Sequence, residues 1–245
     1  YQKHFDVSEN NFAHFVMWGC GGICIGFVIG LVGIAFHLAL EWATEFRTAH
    51  PMLLWLLPFG GLAIVLAYRL AGQEKDRGTN FILVAVRANE AVTLRTAPLI
   101  FFSTVVTHLL GGSAGREGAA LQLGGSIASS FGRIFQLNER EGRIMTMCGM
   151  AAGFAALFGT PLTSVIFAME VITVGVMHYS AIVPCIISAL VAAGLSQAVG
   201  IAPTTFSIAH IPATVGLENC FRAAVLGVLC AVLSVLFCIV MEHVG

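Results

Sequence analysis

The chain alternates between long apolar runs and short polar breaks, and this pattern predicts a series of membrane helices. A helix needs about 20 mainly apolar residues to cross a bilayer. Polar or helix-breaking residues separate the runs, as Gly159-Thr160-Pro161 does in the second half of the chain. We expect roughly six to eight membrane-embedded segments on this length scale. The main runs are residues 12–43, 52–70, 97–110, 144–158, 162–176, 179–199 and 221–240.

Two further apolar stretches differ from ordinary spans. Residues 80–86 have about half the length that a crossing helix needs. Residues 117–135 are preceded by Arg116 and interrupted by Gly124 and Gly125. Short and glycine-interrupted segments predict discontinuous helices that end inside the membrane. Because irregular backbone persists at that depth only where it is buried or lines a cavity, the pattern is typical of a transporter or channel.

Composition agrees with a membrane protein and argues against several other classes. Hydrophobic residues make up 58% of the 245 residues and charged residues only 10%, whereas a soluble domain carries about a quarter charged residues. The net charge is -1, which provides no basic surface for a nucleic acid. The seven cysteines lack metal-site spacing, and a thiol in an apolar run behaves as a small hydrophobic side chain. We expect no metal, no cofactor and no nucleic-acid partner.

Small residues and histidines are expected to serve packing. Glycines recur along the first run at spacings that let two helix backbones approach closely, and we expect them to pack inside the protein rather than at a dimer face. The histidines, including His37 and His108, lack metal-ligand spacing and are expected to be packing residues. The alternative for His108, one turn before Gly112, is a position near the pathway. The glycines of the first run are Gly19, Gly22, Gly26, Gly30 and Gly33.

The segment from Gly111 to Gly118, with the sequence GGSAGREG, is the most informative for function. Its glycines let backbone amides come close to a ligand. A helix that begins near Glu117 directs its unpaired N–H groups and its positive dipole end at that position, which makes an anion site. The Glu117 carboxylate can occupy the same position and leave it when protonated, which would couple protons to anions. The alternative is that Glu117 caps the helix and pairs with Arg116 at the membrane interface.

This segment resembles a signature of the CLC family of chloride channels and proton-coupled anion transporters. The family's second signature is Gly-[Lys/Arg]-Glu-Gly-Pro, and Gly115-Arg116-Glu117-Gly118 matches it, with Ala119 in place of the proline. Further matches follow in family order across roughly residues 12–245, and the ordered set is far more specific than one motif. They are residues 121–125 (LQLGG), 149–158 (GMAAGFAALF), 159–162 (GTPL) and 167–170 (FAME).

The resemblance implies a role for each matching residue. Glu117 would be the gating glutamate, which blocks the anion pathway and carries the proton. Backbone groups around it, and those of a second helix start near the family's first signature, would bind the anion. The implied anion-binding residues are Gly115, Arg116, Gly118, Ala119, Gly78, Thr79, Asn80 and Phe81.

Two departures from the chloride-handling members look like the fluoride-exporting branch of the family. The first signature, Gly-Ser-Gly-Ile-Pro, is replaced by residues 78–82 (GTNFI), which lack its serine and proline. The family's Glu-Glu pair aligns with Glu170 and Val171, so the inner proton acceptor is missing. Phe81 either offers its positive ring edge to an anion or packs in the core. We expect Glu170 to be a structural acid that caps amides near Gly159 and Thr160.

The sequence therefore predicts an all-α polytopic membrane protein with the CLC inverted-repeat architecture. Its expected parts are an N-terminal tail or entry helix (1–11), a first transmembrane repeat (12–217) and a truncated first helix of the second repeat (218–245). The resemblance implies a multi-pass protein of a bacterial-type inner membrane, a homodimer in the lipid bilayer.

The expected function is fluoride/proton antiport that exports fluoride. The first alternative is a chloride-selective channel or chloride/proton exchanger of the same family, with chloride as the ion. We do not expect an enzyme. A distant alternative is an intramembrane serine protease, with Ser113 in a Gly-x-Ser-x-Gly pattern and His178 as its base, although that motif requires a strand before the serine.

Overall fold

The computed structural model describes residues 2–73, 82, 84, 92–172, 179–201 and 216–244, with side chains from Val16 to His243. Within these ranges the regular structure is helical and contains no strand, which confirms the all-α class. Short 3-10 helices, Pro51–Leu56 and Tyr179–Ala181, each precede an α-helix. The α-helices are α1 (Gln2–Ala49), α2 (Leu57–Leu70), α3 (Thr96–Leu109), α4 (Glu117–Ile134), α5 (Glu139–Phe158), α6 (Pro161–Glu170), α7 (Ile182–Ala198) and α8 (Leu217–Val244).

Four helices in the described ranges are long and apolar enough to cross a membrane. They are Val16–Ala49, Pro51–Leu70, Tyr179–Ala198 and Leu217–His243, and Thr96–Leu109 and Pro161–Glu170 are shorter apolar helices. Residues 2–11 are helical and continuous with the first span. These two shorter helices overlap the predicted apolar runs 97–110 and 162–176.

Helices α4 and α5 pack with their backbones in contact, and glycines make this possible. A Cβ atom on Gly124 would overlap the carbonyl oxygen of Gly149, and one on Gly153 would lie 2.7 Å from the carbonyl oxygen of Ala120. Most residues of both helices around these contacts are buried. The glycines in residues 121–125 and 149–158, which resemble the CLC family, therefore let the backbones of α4 and α5 come into contact.

The glycine ridge of α1 packs inside the protein, as predicted. A Cβ atom on Gly26 would lie 2.5 Å from the carbonyl oxygen of Ser188 on α7, and one on Gly33 would lie 2.7 Å from Cβ of Ala156 on α5. Gly22 and Gly30 also face α7, whereas Gly19 has open space around it. The ridge thus brings α1 against α5 and α7.

Hydroxyl groups of α7 add polar contacts to this core. Ser196 Oγ donates to the carbonyl oxygen of Ala156 at 2.6 Å. Ser188 Oγ lies 3.0 Å from the carbonyl oxygens of both Cys148 and Cys185. The two thiols are 3.7 Å apart at the same level. Because these groups lie in the buried interface, the bonds from Ser196 to Ala156 and from Ser188 to Cys148 connect α7 to α5 without exposing polar groups to lipid.

The chain divides into two units, residues 1–204 and 205–245. The first contains α1 to α7. The second contains α8, on which Arg222 and Glu218 form an exposed ion pair one turn apart. The predicted boundary at residue 218 falls in the first turn of α8.

Candidate anion and proton site at the start of α4

Helix α3 ends in a tight glycine turn that directs the chain towards α4. Gly111 has φ +82, a left-handed conformation that glycine adopts without a Cβ penalty. Gly112 N–H then donates to the carbonyl oxygen of Thr107 at 2.8 Å, which closes the helix end in a Schellman arrangement. Residues 112–115 follow without regular structure. Gly111 therefore ends α3, and seven residues separate the two helices.

Helix α4 begins at Glu117 with free backbone donors, as the sequence predicts. Its first helical bond runs from Ala120 N–H to the carbonyl oxygen of Arg116 at 2.9 Å. The amides of Glu117, Gly118 and Ala119 consequently have no intrahelical acceptor. No side chain in the described ranges caps this helix. The helix end therefore presents N–H groups and a positive dipole end to an anion.

Helix α5 shows what a capped start looks like in the same protein. Asn138 accepts a hydrogen bond from Glu141 N–H at 3.0 Å, and the Glu141 carboxylate accepts one from Asn138 N–H at 3.1 Å. This capping box satisfies the first turn of α5 with its own side chains. Among the described residues, the start of α4 has no such capping box, and neither do the starts of α2, α3, α6 and α7.

The Glu117 carboxylate turns back over the preceding glycine. A Cβ atom on Gly115 would lie 2.5 Å from Glu117 Oε2, so the absence of a side chain there makes room for the carboxylate. The Glu117 side chain is exposed. Within the described ranges, no ion pair joins Glu117 to Arg116 and no side-chain cap is formed, which argues against the capping alternative.

The other predicted anion-binding residues divide into two groups. Gly115 is exposed, Arg116 and Gly118 are half-buried, and Ala119 is buried in the first turn of α4. Gly78, Thr79, Asn80 and Phe81 lie outside the described residues. Ile82, which follows them, is buried, and its Cγ2 would lie 3.2 Å from a Cβ on Gly125 of α4.

The structure corrects the predicted role of Glu170. This residue is the last of α6 and is exposed. Thr160 is at the opposite end of that helix, about 15 Å away at 1.5 Å per residue. Glu170 therefore does not cap the amides near Gly159 and Thr160. The apolar run 162–176 gives no sign of this helix end, because it continues past Glu170 into the half-buried Val171.

Sequence reasoning missed a polar cavity beside Arg116. The cavity has a volume of about 440 Å³ and lies between the last turns of α1, the end of α3 and the residue before α4. Its acidic and imidazole side chains on α1 recur four residues apart, a spacing that places them on one helix face. This spacing was the signal in the sequence from which the α1 side of the cavity could have been predicted. The lining residues are His37, Leu40, Glu41, Thr44, Glu45, His108 and Arg116.

The geometry does not favour the serine protease alternative. Ser113 lies in the irregular segment between α3 and α4, and no strand precedes it in the part of the chain that the structure describes. A nucleophile elbow depends on a strand-turn-helix context. His178, the proposed base, lies outside the described residues.

Apolar helices of spanning length, short helices beside them and an open helix start with an adjacent carboxylate define a multi-pass membrane protein of the transporter or channel class. The model of the family described as "Voltage gated chloride channel" matches residues 59–245. The chain therefore belongs to the voltage-gated chloride channel (CLC) family, whose members are channels and transporters.

Two curated relatives of this chain have names that give different activities. The "Chloride/fluoride channel protein" of Pseudomonas syringae pv. tomato is 36% identical over 222 residues, which are 90% of this chain and 49% of the relative. The "H(+)/Cl(-) exchange transporter ClcA" of Cronobacter sakazakii is 34% identical over 160 residues, 59% of this chain and 34% of the relative. The chain thus spans about half the length of the first relative and about a third of the second.

Two solved structures support the fold. A CLC-type fluoride/proton antiporter matches with a TM-score of 0.79 and 31% identity, over 88% of this chain and 54% of that chain. A slow cyanobacterial Cl-/H+ antiporter matches with a TM-score of 0.68 over the same shares, at 21% identity. The first likeness extends to sequence, and the second concerns the fold alone. Together they support the predicted all-α polytopic CLC architecture.

Proposed function

We propose that the full-length protein is a fluoride/proton antiporter that exports fluoride, with Glu117 as its gate and proton carrier. The observation that carries this proposal is the open start of α4. The amides of Glu117, Gly118 and Ala119 lack intrahelical acceptors, and the Glu117 carboxylate lies beside Gly115. A carboxylate and an anion compete for one set of donors, and protonation of the carboxylate decides which of them is bound.

The choice of fluoride rests on three supports. The solved relative with 31% identity is a fluoride/proton antiporter, and the Pseudomonas relative is named a chloride/fluoride channel protein. Val171 stands where the chloride exchangers carry their inner acid, and it is half-buried against apolar residues. Thr79 and Asn80 replace the serine of the chloride signature with two short hydrogen-bonding side chains. A small, strongly hydrated anion needs such close donors to replace its water.

The protein works, on this proposal, as a homodimer embedded in the lipid bilayer of a bacterial-type inner membrane. The remaining anion contacts come from parts of the full-length protein beyond this chain. Residues 12–217 then form the first repeat and residues 218–245 begin the second.

The second candidate is chloride transport. It is favoured by the likeness to the chloride/proton exchange transporter of Cronobacter sakazakii. Because Val171 cannot accept a proton, this candidate takes the form of a passive chloride channel. The two candidates differ in both ion selectivity and proton movement, so one assay separates them.

The test is anion efflux from liposomes that contain the full-length protein, with fluoride, chloride and pH recorded together. We expect fluoride efflux to drive proton uptake, and Glu117→Gln to abolish the proton movement. Glu139→Gln, the same change at an exposed residue of α5, is the matched control and keeps the coupling. Chloride efflux as fast as that of fluoride, without proton movement, contradicts the proposal and leaves a chloride channel.

A further inference from the structure

The polar cavity beside Arg116 is lined by two imidazoles, each with a ring nitrogen that has no hydrogen-bond partner among the described residues. We name it the α1 vestibule, defined by His37, Leu40, Glu41, Thr44, Glu45, His108 and Arg116. It lies at the polar end of α1, where the apolar run of the first span stops. Arg116, the residue before the proposed proton carrier, forms part of its wall.

His108 has a tautomer that leaves one nitrogen free to accept a proton. Its Nδ1 is 2.8 Å from the carbonyl oxygen of Thr104. A carbonyl oxygen only accepts hydrogen bonds, so Nδ1 carries the hydrogen and Nε2 carries the lone pair. Because the His108 side chain also lines the vestibule, it brings a proton acceptor to the cavity.

His37 differs from the neighbouring histidines in its hydrogen bonding. Its Nδ1 is buried and has no partner among the described residues, whereas His50 places Nδ1 3.0 Å from the carbonyl oxygen four residues earlier. His37 Nε2 is 3.9 Å from Glu41 Oε2, and its side chain is only 17% exposed. An imidazole with an unused nitrogen beside a carboxylate is suited to gaining and losing a proton.

The charges around these imidazoles have mixed signs. Glu41 and Glu45 come from α1, and Arg116 comes from the residue before α4. Arg47 packs against the turn that follows α3, since its Cδ would be 3.3 Å from a Cβ on Gly111. Two carboxylates at a cavity mouth attract cations, including protons, from water. Imidazole is the side chain that changes charge between about pH 5 and 8.

We propose that the α1 vestibule loads protons for Glu117. A proton from water binds to the imidazole of His37 or His108 and passes through vestibule water to the ionised Glu117 carboxylate. The imidazole returns to its neutral form, and the carboxylate becomes a carboxylic acid that leaves the anion site. This proposal rests on the proposed function, because it supplies the proton that the antiport consumes.

The experiment compares pH profiles of fluoride-driven proton uptake in liposomes with full-length His37→Gln, His108→Gln and the double variant. The pH is varied between 5.5 and 8 on each side of the membrane in turn. His50→Gln is the matched control, because it changes the exposed histidine that directly follows α1, whose ring stacks on Phe46 outside the vestibule. Fluoride transport at pH 5.5 verifies that each variant is folded.

We expect uptake by the double variant to be about a hundredfold slower at pH 7.5, the lower end of the effect of losing a proton-transfer group. At pH 5.5, where water supplies protons readily, uptake should be close to wild type. The control keeps the wild-type profile. If the wild type couples fluoride to protons and the double variant has the same pH profile, the vestibule proposal is wrong and the antiport proposal stands. If the wild type does not couple fluoride transport to protons, the antiport proposal is wrong, and so is the vestibule proposal that depends on it.

Discussion

The backbone of Gly124 on α4 lies directly against the backbone of Gly149 on α5. A Cβ atom on either glycine would overlap the carbonyl oxygen of the other. Helix α4 carries Glu117 at its start, and α5 ends at the left-handed Gly159 before α6. This contact therefore positions the proposed anion site relative to the core of the first unit.

Gly124→Ala should destabilise the protein by about 1–3 kcal/mol or more, because the added methyl group forces two helix backbones apart. Thermal unfolding of the full-length protein in detergent measures the change. Gly142→Ala on α5 is the matched control, since a Cβ there has no neighbour within 4 Å, and alanine favours the helix by up to about 1 kcal/mol. Equal unfolding temperatures for the two variants would contradict the proposed backbone contact.

Ser196→Ala should destabilise the contact between α5 and α7 by about 0.6 kcal/mol, with about 1.7 kcal/mol as the upper range for hydrogen bonds between membrane helices. The change removes the 2.6 Å bond to the carbonyl oxygen of Ala156. Ser126→Ala is the control, because the buried Ser126 hydroxyl bonds only to carbonyl oxygens of its own helix. Unfolding in detergent should distinguish them, and a larger loss for Ser126→Ala would refute the argument.

The sequence predicted the positions of the helices better than their contacts. The start of α4 was predicted at Glu117 because glycines and an ionisable pair interrupt the apolar pattern there. The end of α6 was predicted too late, since residues 171–176 continue the apolar run and hydropathy alone does not reveal a turn at Val171. Because of this error, Glu170 was predicted to lie inside a span instead of at a helix end, and it was wrongly predicted to cap amides near Gly159 and Thr160.

The candidate site was predictable only in part, for a related reason. Glu117 and its glycines are adjacent in sequence, so local motifs are sufficient to find them. The α1 vestibule joins His37 to His108 and Arg116, which are about 70 residues away along the chain, and only the packing of α1 against α3 brings them together. The spacing of His37, Glu41 and Glu45 indicated one helix face but not what that face meets.

Gln136→Gly should stabilise the protein by about 0.5–1 kcal/mol. Gln136 has φ +52, a left-handed conformation that costs a side-chain-bearing residue energy and that glycine adopts freely. The turn stays closed in the variant by the bond from Leu137 N–H to the carbonyl oxygen of Gly132 at 2.9 Å. Thermal unfolding should show a higher midpoint for the variant. A lower midpoint would mean that the Gln136 side chain contributes more than its backbone conformation costs.

Gly115→Ala should displace the Glu117 carboxylate, because the new Cβ atom would lie 2.5 Å from Glu117 Oε2. The backbone of Gly115 lies outside the left-handed region, so alanine tests the steric effect without added backbone strain. We expect fluoride to move with fewer protons per ion, since the carboxylate no longer occupies its place beside Gly115. Simultaneous fluoride and pH recording in liposomes measures the ratio. Gly61→Ala on α2, where a Cβ meets nothing within 4 Å, should leave the ratio unchanged. An unchanged ratio in Gly115→Ala as well would show that the observed carboxylate position has no part in coupling.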